Sequence, residues 1–134
     1  MKKIILLPLL VFGFVHATEV TGTKISTQIE TMQGLERGMS SIQKGLMYNN
    51  KNIIQKGVNE IQTYTKDIDS FDIKNEKGIS FNIKTYSQAE AKAISKLADD
   101  MMEGFNKGSK NRVLDIYRRM QNRCMTCHNL VRKW

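Results

Sequence analysis

Apolar residues recur at helical spacing through most of this chain, which contains a single proline. In the first such segment they stand at every seventh position and at intermediate positions of the same stripe: Ile25, Met32, Met39 and Leu46, with Ile29, Leu35 and Ile42. Such a stripe buries one face of a helix against other helices. Thr27 and Glu30 have the spacing of a capping box near the start of this helix. Asn49-Asn50 is expected to end it, because asparagine tolerates the left-handed conformation.

Two more helical segments follow the first. The second runs from about Lys51 to Asp69, and a connection so short makes the two helices antiparallel. The third is expected to begin at Ser87, which with Glu90 forms another capping-box pattern, and to end near Gly104 and Gly108. Their apolar faces consist of Ile54, Val58, Ile61 and Ile68 in the second helix and Ile94, Leu97, Ala98, Met101 and Phe105 in the third.

A fourth segment starts near Ser109 and extends almost to the end of the chain. Its apolar, thiol and imidazole side chains share one face: Val113, Leu114, Tyr117, Met120, Cys124, Cys127, His128 and Val131. Between the second and third helices, residues 70 to 86 alternate in polarity, which fits a small hairpin or, in the preferred interpretation, a long crossover covering the bundle. The whole pattern predicts an all-α fold, an antiparallel four-helix bundle formed by residues 18–134.

The last helix carries the most specific motif, Cys124-Met125-Thr126-Cys127-His128, which holds both cysteines and one of the two histidines of the sequence. CxxCH is the pattern of covalent haem attachment. Each thiol adds to one vinyl group of the porphyrin, and the imidazole beside the second cysteine reaches the iron. On a helix these three side chains fall within an arc of roughly 100°. The motif therefore predicts one haem c per chain, held on the last helix by Cys124 and Cys127, with His128 as an axial ligand.

Other roles for the motif are less well supported. A disulfide between Cys124 and Cys127 would close a very small ring and stabilise little. A zinc site would lack a fourth ligand, because the only other histidine, His16, lies in a segment expected to be removed. A thioredoxin-like redox pair would need a surrounding βαβ pattern, which the sequence does not show.

Residues 1–17 have the composition of a secretory signal peptide. Lys2 and Lys3 precede an apolar stretch at residues 4–15, and Val15-His16-Ala17 forms a small-residue cleavage site. The stretch is too short to span a bilayer comfortably, so an uncleaved anchor is the minor alternative. Cleavage would leave residues 18–134 in the periplasm with no stable membrane span. The periplasm is an oxidising space in which bacterial c-type haem is attached.

Positive charge dominates the end of the chain. Removal of the signal takes two of 21 basic residues and none of 13 acidic ones, which leaves a formal charge of +6 before haem is counted. That part of the sequence has one acidic residue, Asp115, and eight basic ones: Lys107, Lys110, Arg112, Arg118, Arg119, Arg123, Arg132 and Lys133. They would steer an acidic redox partner, or they are simply the solvated face of a helix. Nucleic acid is not expected as a partner, because the chain has few aromatic residues and no matching motif. The sequence leaves open whether the protein forms a homodimer.

An exported chain of four amphipathic helices, with CxxCH in the last and Arg132 four positions after His128, resembles the cytochrome c-prime family and its low-spin relatives. Only CxxCH and Arg132 match residue by residue. The resemblance implies a haem on the last helix, with His128 as proximal ligand and Arg132 near the proximal pocket. In high-spin members an apolar residue of the first helix leaves the sixth position open to small gases such as nitric oxide. In low-spin members a first-helix methionine fills it, and the protein carries electrons.

Met32 is the preferred candidate for such a methionine. In an up-down-up-down bundle the end of the fourth helix lies beside the start of the first, so Met32 stands at the depth of His128. Met39 lies deeper and is the weaker candidate, and an open sixth position is the third alternative. We therefore expect a periplasmic electron carrier with His128 and Met32 as axial ligands, or else a five-coordinate gas-binding protein. An enzyme is not expected, because the mature chain has no second histidine to act as a distal acid or base.

Overall fold

The computed structural model describes residues 27–71 and 80–132, and these residues are almost entirely helical. The four α-helices are α1 (Gln28–Met47), α2 (Lys51–Asp67), α3 (Ile83–Asn106) and α4 (Lys110–Arg132), with a short 3₁₀ turn, Ile68–Ser70, after α2. No strand occurs in the described ranges, which confirms the all-α prediction and is compatible with a four-helix bundle. The predicted signal peptide, Ile25 and the centre of the predicted crossover lie outside the described residues.

Local capping residues set the ends of α1 and the start of α2. The Thr27 hydroxyl accepts a hydrogen bond from the Glu30 backbone N–H at 3.2 Å, and the Glu30 carboxylate accepts one from the Thr27 N–H at 2.8 Å. The predicted capping box is therefore confirmed. Asn49 has a φ of 49°, the left-handed conformation expected of a helix end. Asn50 then caps α2, its side-chain oxygen accepting from the backbone N–H of Asn52 at 3.0 Å.

The closest helix pair is α1 with α2, and glycine permits the approach. A Cβ atom added at Gly57 would lie 2.6 Å from the carbonyl oxygen of Gly38 and 2.8 Å from the backbone nitrogen of Ile42. No side chain larger than hydrogen fits there without moving a backbone. Small residues thus occupy the centre of the α1 contact stripe, and the heptad residues Met32 and Met39 flank it half-buried.

The start of α3 differs from the prediction. The helix begins at Ile83 rather than Ser87, because the Asn82 side chain accepts a hydrogen bond from the Thr85 backbone N–H at 2.9 Å and acts as the cap. Ser87 lies one turn inside the helix and is buried. The part of the predicted crossover that follows residue 82 is therefore helical.

Two side chains predicted to face the core are exposed instead. Ile29 is 67% exposed in the first turn of α1, and Leu114 is 42% exposed in α4. In α4, Ile116 is buried instead of Leu114, one turn before the fully buried Met120. The predicted apolar faces of α2 and α3 are confirmed, with Phe105 only partly buried.

The helices pack in chain order, α1 on α2, α2 on α3 and α3 on α4, whereas α1 and α4 touch little. The Ile68 and Phe71 side chains are buried beneath the gap that this leaves. Within the two described ranges, no helix is both long and apolar enough to cross a membrane.

Candidate functional site

A cleft of about 500 Å³ opens where α1 and α4 stand apart, with α3 as its third wall. This volume lies within the range of small-molecule and cofactor sites. Its lining is mainly apolar, with a few polar groups that converge on one side. The lining residues are Gln28, Met32, Leu35, Glu36, Ile68, Phe71, Ile83, Ser87, Glu90, Ala91, Ile94, Cys124, Met125, Cys127, His128 and Val131.

The α4 wall carries the three residues of the CxxCH motif that have reactive side chains. Cys124, Cys127 and His128 all line the cleft, and each is partly buried. The spacing of three and four residues places them on one helical face, as predicted from the sequence. Two thiols and an imidazole are therefore presented together to one apolar space.

Burial raises the pKa of both thiols. It raises the pKa of Cys124 from its usual value near 9 to about 11, and the neighbouring Cys127 adds to the effect. Burial also raises the pKa of Cys127, but a hydrogen bond from the Ser87 hydroxyl opposes this rise. Redox-active CxxC pairs have a lowered thiol pKa. The observed environment therefore argues against the dithiol interpretation.

In residues 27–71 and 80–132, no group of three or more histidine, cysteine, aspartate or glutamate side chains is arranged to hold a metal ion.

The α1 wall presents Met32 to the cleft. Gln28, Met32 and Glu36 follow one another at intervals of four residues, and Leu35 lies beside them on the same face. Met39 does not line the cleft; it packs against the buried core instead. Of the two methionines considered from the sequence, Met32 is the one that the fold brings to the space bounded by His128.

The α3 wall contributes a polar pair that the sequence did not reveal as part of a site. Ser87 contacts Cys127 through its hydroxyl, and Glu90 accepts hydrogen bonds from Arg123 of α4 at 2.9 and 3.0 Å. Ser87 and Glu90 drew notice only as a capping-box pattern. The same three-residue spacing also places both side chains on the cleft side of the helix. The sequence pattern alone does not show whether two residues so spaced cap a helix or share one of its faces.

Arg132 is the last residue of α4. The position of its side chain lies outside what the structure describes, so its predicted place near the haem stays a prediction.

The chain matches no protein-family model, no curated protein and no solved structure. The chemistry of the cleft therefore rests on its own residues. Two protonated thiols can each form a thioether, an imidazole can coordinate a metal ion, and a methionine sulfur on the facing helix can do the same.

Proposed function

We propose that this protein is a mono-haem c-type cytochrome that carries electrons in the periplasm. Cys124 and Cys127 would hold one haem c through thioether bonds, with His128 and Met32 as the axial ligands of its iron. The observation that carries the proposal is that the three CxxCH side chains line one wall of a single cleft, and Met32 lines another.

The residues of the cleft fit such a group. Ile68, Phe71, Ala91 and Ile94 offer apolar surface to a flat macrocycle and exclude water from it. The donor set of two thiols and an adjacent imidazole is that of haem c attachment. When bound, the haem would supply reversible one-electron chemistry at its iron.

Each functional side chain then has a separate task. Cys124 and Cys127 anchor the group to α4, so that it stays bound through changes of oxidation state. His128 binds the iron from the same helix. Met32 supplies a thioether from α1, which favours the reduced state and raises the reduction potential. On this proposal Arg132 stands near the haem, as in the family that the chain resembles.

A gas-binding protein is the second candidate, and one observation favours it. Leu35 also lines the cleft from α1, less than a turn beyond Met32. If Leu35 rather than Met32 faced the iron, the sixth position would stay open to a small gas such as nitric oxide. The protein would then resemble the high-spin members of the cytochrome c-prime family.

The proposed partner is an acidic redox protein. Lys110, Arg112, Arg118 and Arg119 are exposed on α4, the helix that would hold the haem. Positive charge on the surface of a redox protein speeds encounter with a negatively charged partner. The proposal does not assign an enzymatic activity, and it allows a homodimer.

An absorption spectrum of the protein matured with c-type attachment machinery tests ligation and spin state together. His/Met ligation predicts a low-spin spectrum in both the oxidised and the reduced protein. A high-spin spectrum in both states would overturn the Met32 assignment and favour the gas-binding candidate. A protein without any haem bands would contradict both.

A further inference from the structure

One ion pair connects α3 and α4 at the edge of the cleft. Glu90 Oε2 lies 2.9 Å from Arg123 Nη1, and the Glu90 side chain is only 15% exposed. Three of the other described pairs, Lys96–Asp100, Lys107–Glu103 and Arg119–Asp115, join residues four positions apart in the chain. The Arg112–Glu103 pair also connects α4 to α3, but both of its side chains are exposed, at 46% and 48%. Such surface pairs contribute little. The Glu90–Arg123 pair is set apart by its burial and its position.

Both charges flank the proposed attachment turn. Glu90 lines the cleft itself, and Arg123 immediately precedes Cys124 on α4. Glu90, Cys124 and Cys127 line the same cleft, so the field of the carboxylate reaches the two proposed attachment points. A charge felt at these sulfurs is also felt by a group bonded to them.

A charged pair in such a position acts on a redox centre in two opposed ways. The effective dielectric constant beside a partly buried cleft is well below that of water, so charges act over longer distances there. Burial and nearby charge are among the factors that set the potential of a haem iron. A carboxylate stabilises the more positive, oxidised state, and a guanidinium stabilises the reduced state.

We propose that Glu90 and Arg123 form an opposed charge pair that sets the reduction potential of the haem, with Glu90 lowering the potential and Arg123 raising it. This inference rests on the proposed function. Glu90 and Arg123 would tune the cofactor from a distance. Neither residue would touch the iron or hold the haem covalently.

The test compares the reduction potentials of four holoproteins: wild type, Glu90→Gln, Arg123→Gln and the double variant. Potentials are read from visible absorption during redox titration, with all four proteins at the same pH. Glu90→Gln should raise the potential, Arg123→Gln should lower it, and the double variant should fall between the two single variants. Glu103→Gln is the matched control, because it removes the same charge from the same helix roughly 20 Å away, and it should leave the potential unchanged.

A purely structural role gives a different pattern. Loss of the ion pair would then shift the potential in the same direction in both single variants. The potential of the double variant would lie no nearer to that of the wild type. That result would overturn the inference. Arg123→Gln leaves a mostly buried carboxylate unpaired and so is the variant at risk of misfolding. Should it fail to fold, the proposal still requires a higher potential in Glu90→Gln than in the double variant.

The same experiment separates this inference from the function on which it rests. Wild-type protein without covalent haem would overturn both. Covalent haem in every variant, with equal potentials in Glu90→Gln and the double variant, would overturn the charge pair alone.

Discussion

Met32 and His128 line one cleft from two different helices, Met32 near the start of α1 and His128 near the end of α4. The two helices touch little along their length, so their side chains do not fill the space between them. Residues of α3 and Phe71 complete the walls of the cleft. A bundle that packed all four helices equally would fill this volume. The separation of α1 from α4 is therefore the feature of the fold that leaves this cleft open.

Replacement of Met32 by leucine tests the distal ligand. Leucine has a similar volume and no sulfur, so packing should survive. We expect the low-spin spectrum of the wild type to become high spin, carbon monoxide to bind faster, and the reduction potential to fall because a thioether no longer favours the reduced iron. Visible absorption, stopped-flow mixing and redox titration measure the three effects.

Met39→Leu is the matched control for that substitution. Met39 packs against the core and does not line the cleft, so its replacement should leave the spectrum nearly unchanged. A Met32→Leu protein that remains as low spin as the wild type would show that another residue binds the iron.

The raised pKa of Cys124 predicts a pH-dependent stability of the chain before haem attachment. The thiol has a pKa of about 11 when folded and near 9 when exposed, so the folded state holds its proton more tightly. The stabilisation is complete below pH 9 and is lost as the pH rises towards 11. Urea unfolding of haem-free protein should show a decrease of up to roughly 2 kcal/mol in the free energy of unfolding across this range.

Two comparisons identify the thiol as the origin of that decrease. Cys124→Ala removes the titrating group, so its unfolding free energy should fall less between the same two pH values. In the haem-loaded protein the sulfur would be a thioether, which does not titrate. An equal decrease in Cys124→Ala and the parent chain would show that other groups cause it.

Substitution of Gly57 by alanine tests the close packing of α1 on α2. The added Cβ would lie 2.6 Å from the Gly38 carbonyl oxygen, so a backbone must move. We expect a loss of about 1 to 3 kcal/mol in unfolding free energy, measured by circular dichroism during denaturation. Gly104→Ala is the comparison, because its nearest neighbour is the Val113 side chain at 3.2 Å and alanine favours a helix. Its stability should change by less than that of Gly57→Ala.

The features that depend on near neighbours in the chain were predictable from sequence. Thr27 and Glu30 are three residues apart, and their capping box forms as expected. Asn49 adopts the left-handed conformation because asparagine tolerates it better than most residues do. The one-sided placement of Cys124, Cys127 and His128 likewise follows from helical spacing alone.

The features that depend on tertiary packing could not be predicted from the sequence. Apolar periodicity marked Ile29 as a core residue, but the centre of the α1 contact stripe is occupied by small residues such as Gly38. Asn82 caps α3 in place of Ser87, the cap that the sequence pattern predicted. The pairing of Glu90 with Arg123 joins two helices and has no signature within either of them.

A salt-dependent rate of electron transfer would show that the basic surface of α4 directs docking. Arg118 and Arg119 are both exposed, and Arg119 lies 3.9 Å from Asp115. The on-rate with an acidic partner should fall as ionic strength rises, and reversing both charges to glutamate should weaken that dependence. Lys51→Glu with Lys56→Glu reverses two exposed charges on α2 and should have the smaller effect. A rate indifferent to salt would identify the arginines as a solvated helix face.

Covalent attachment is the central claim, and acid-acetone extraction of the denatured protein tests it most directly. Protein produced with c-type maturation machinery should retain its haem through extraction, and its intact mass should exceed that of the polypeptide by one haem. The double variant Cys124→Ala with Cys127→Ala should carry no covalent haem. Haem that extracts freely from the wild-type protein, or a mass equal to that of the polypeptide alone, would contradict the account.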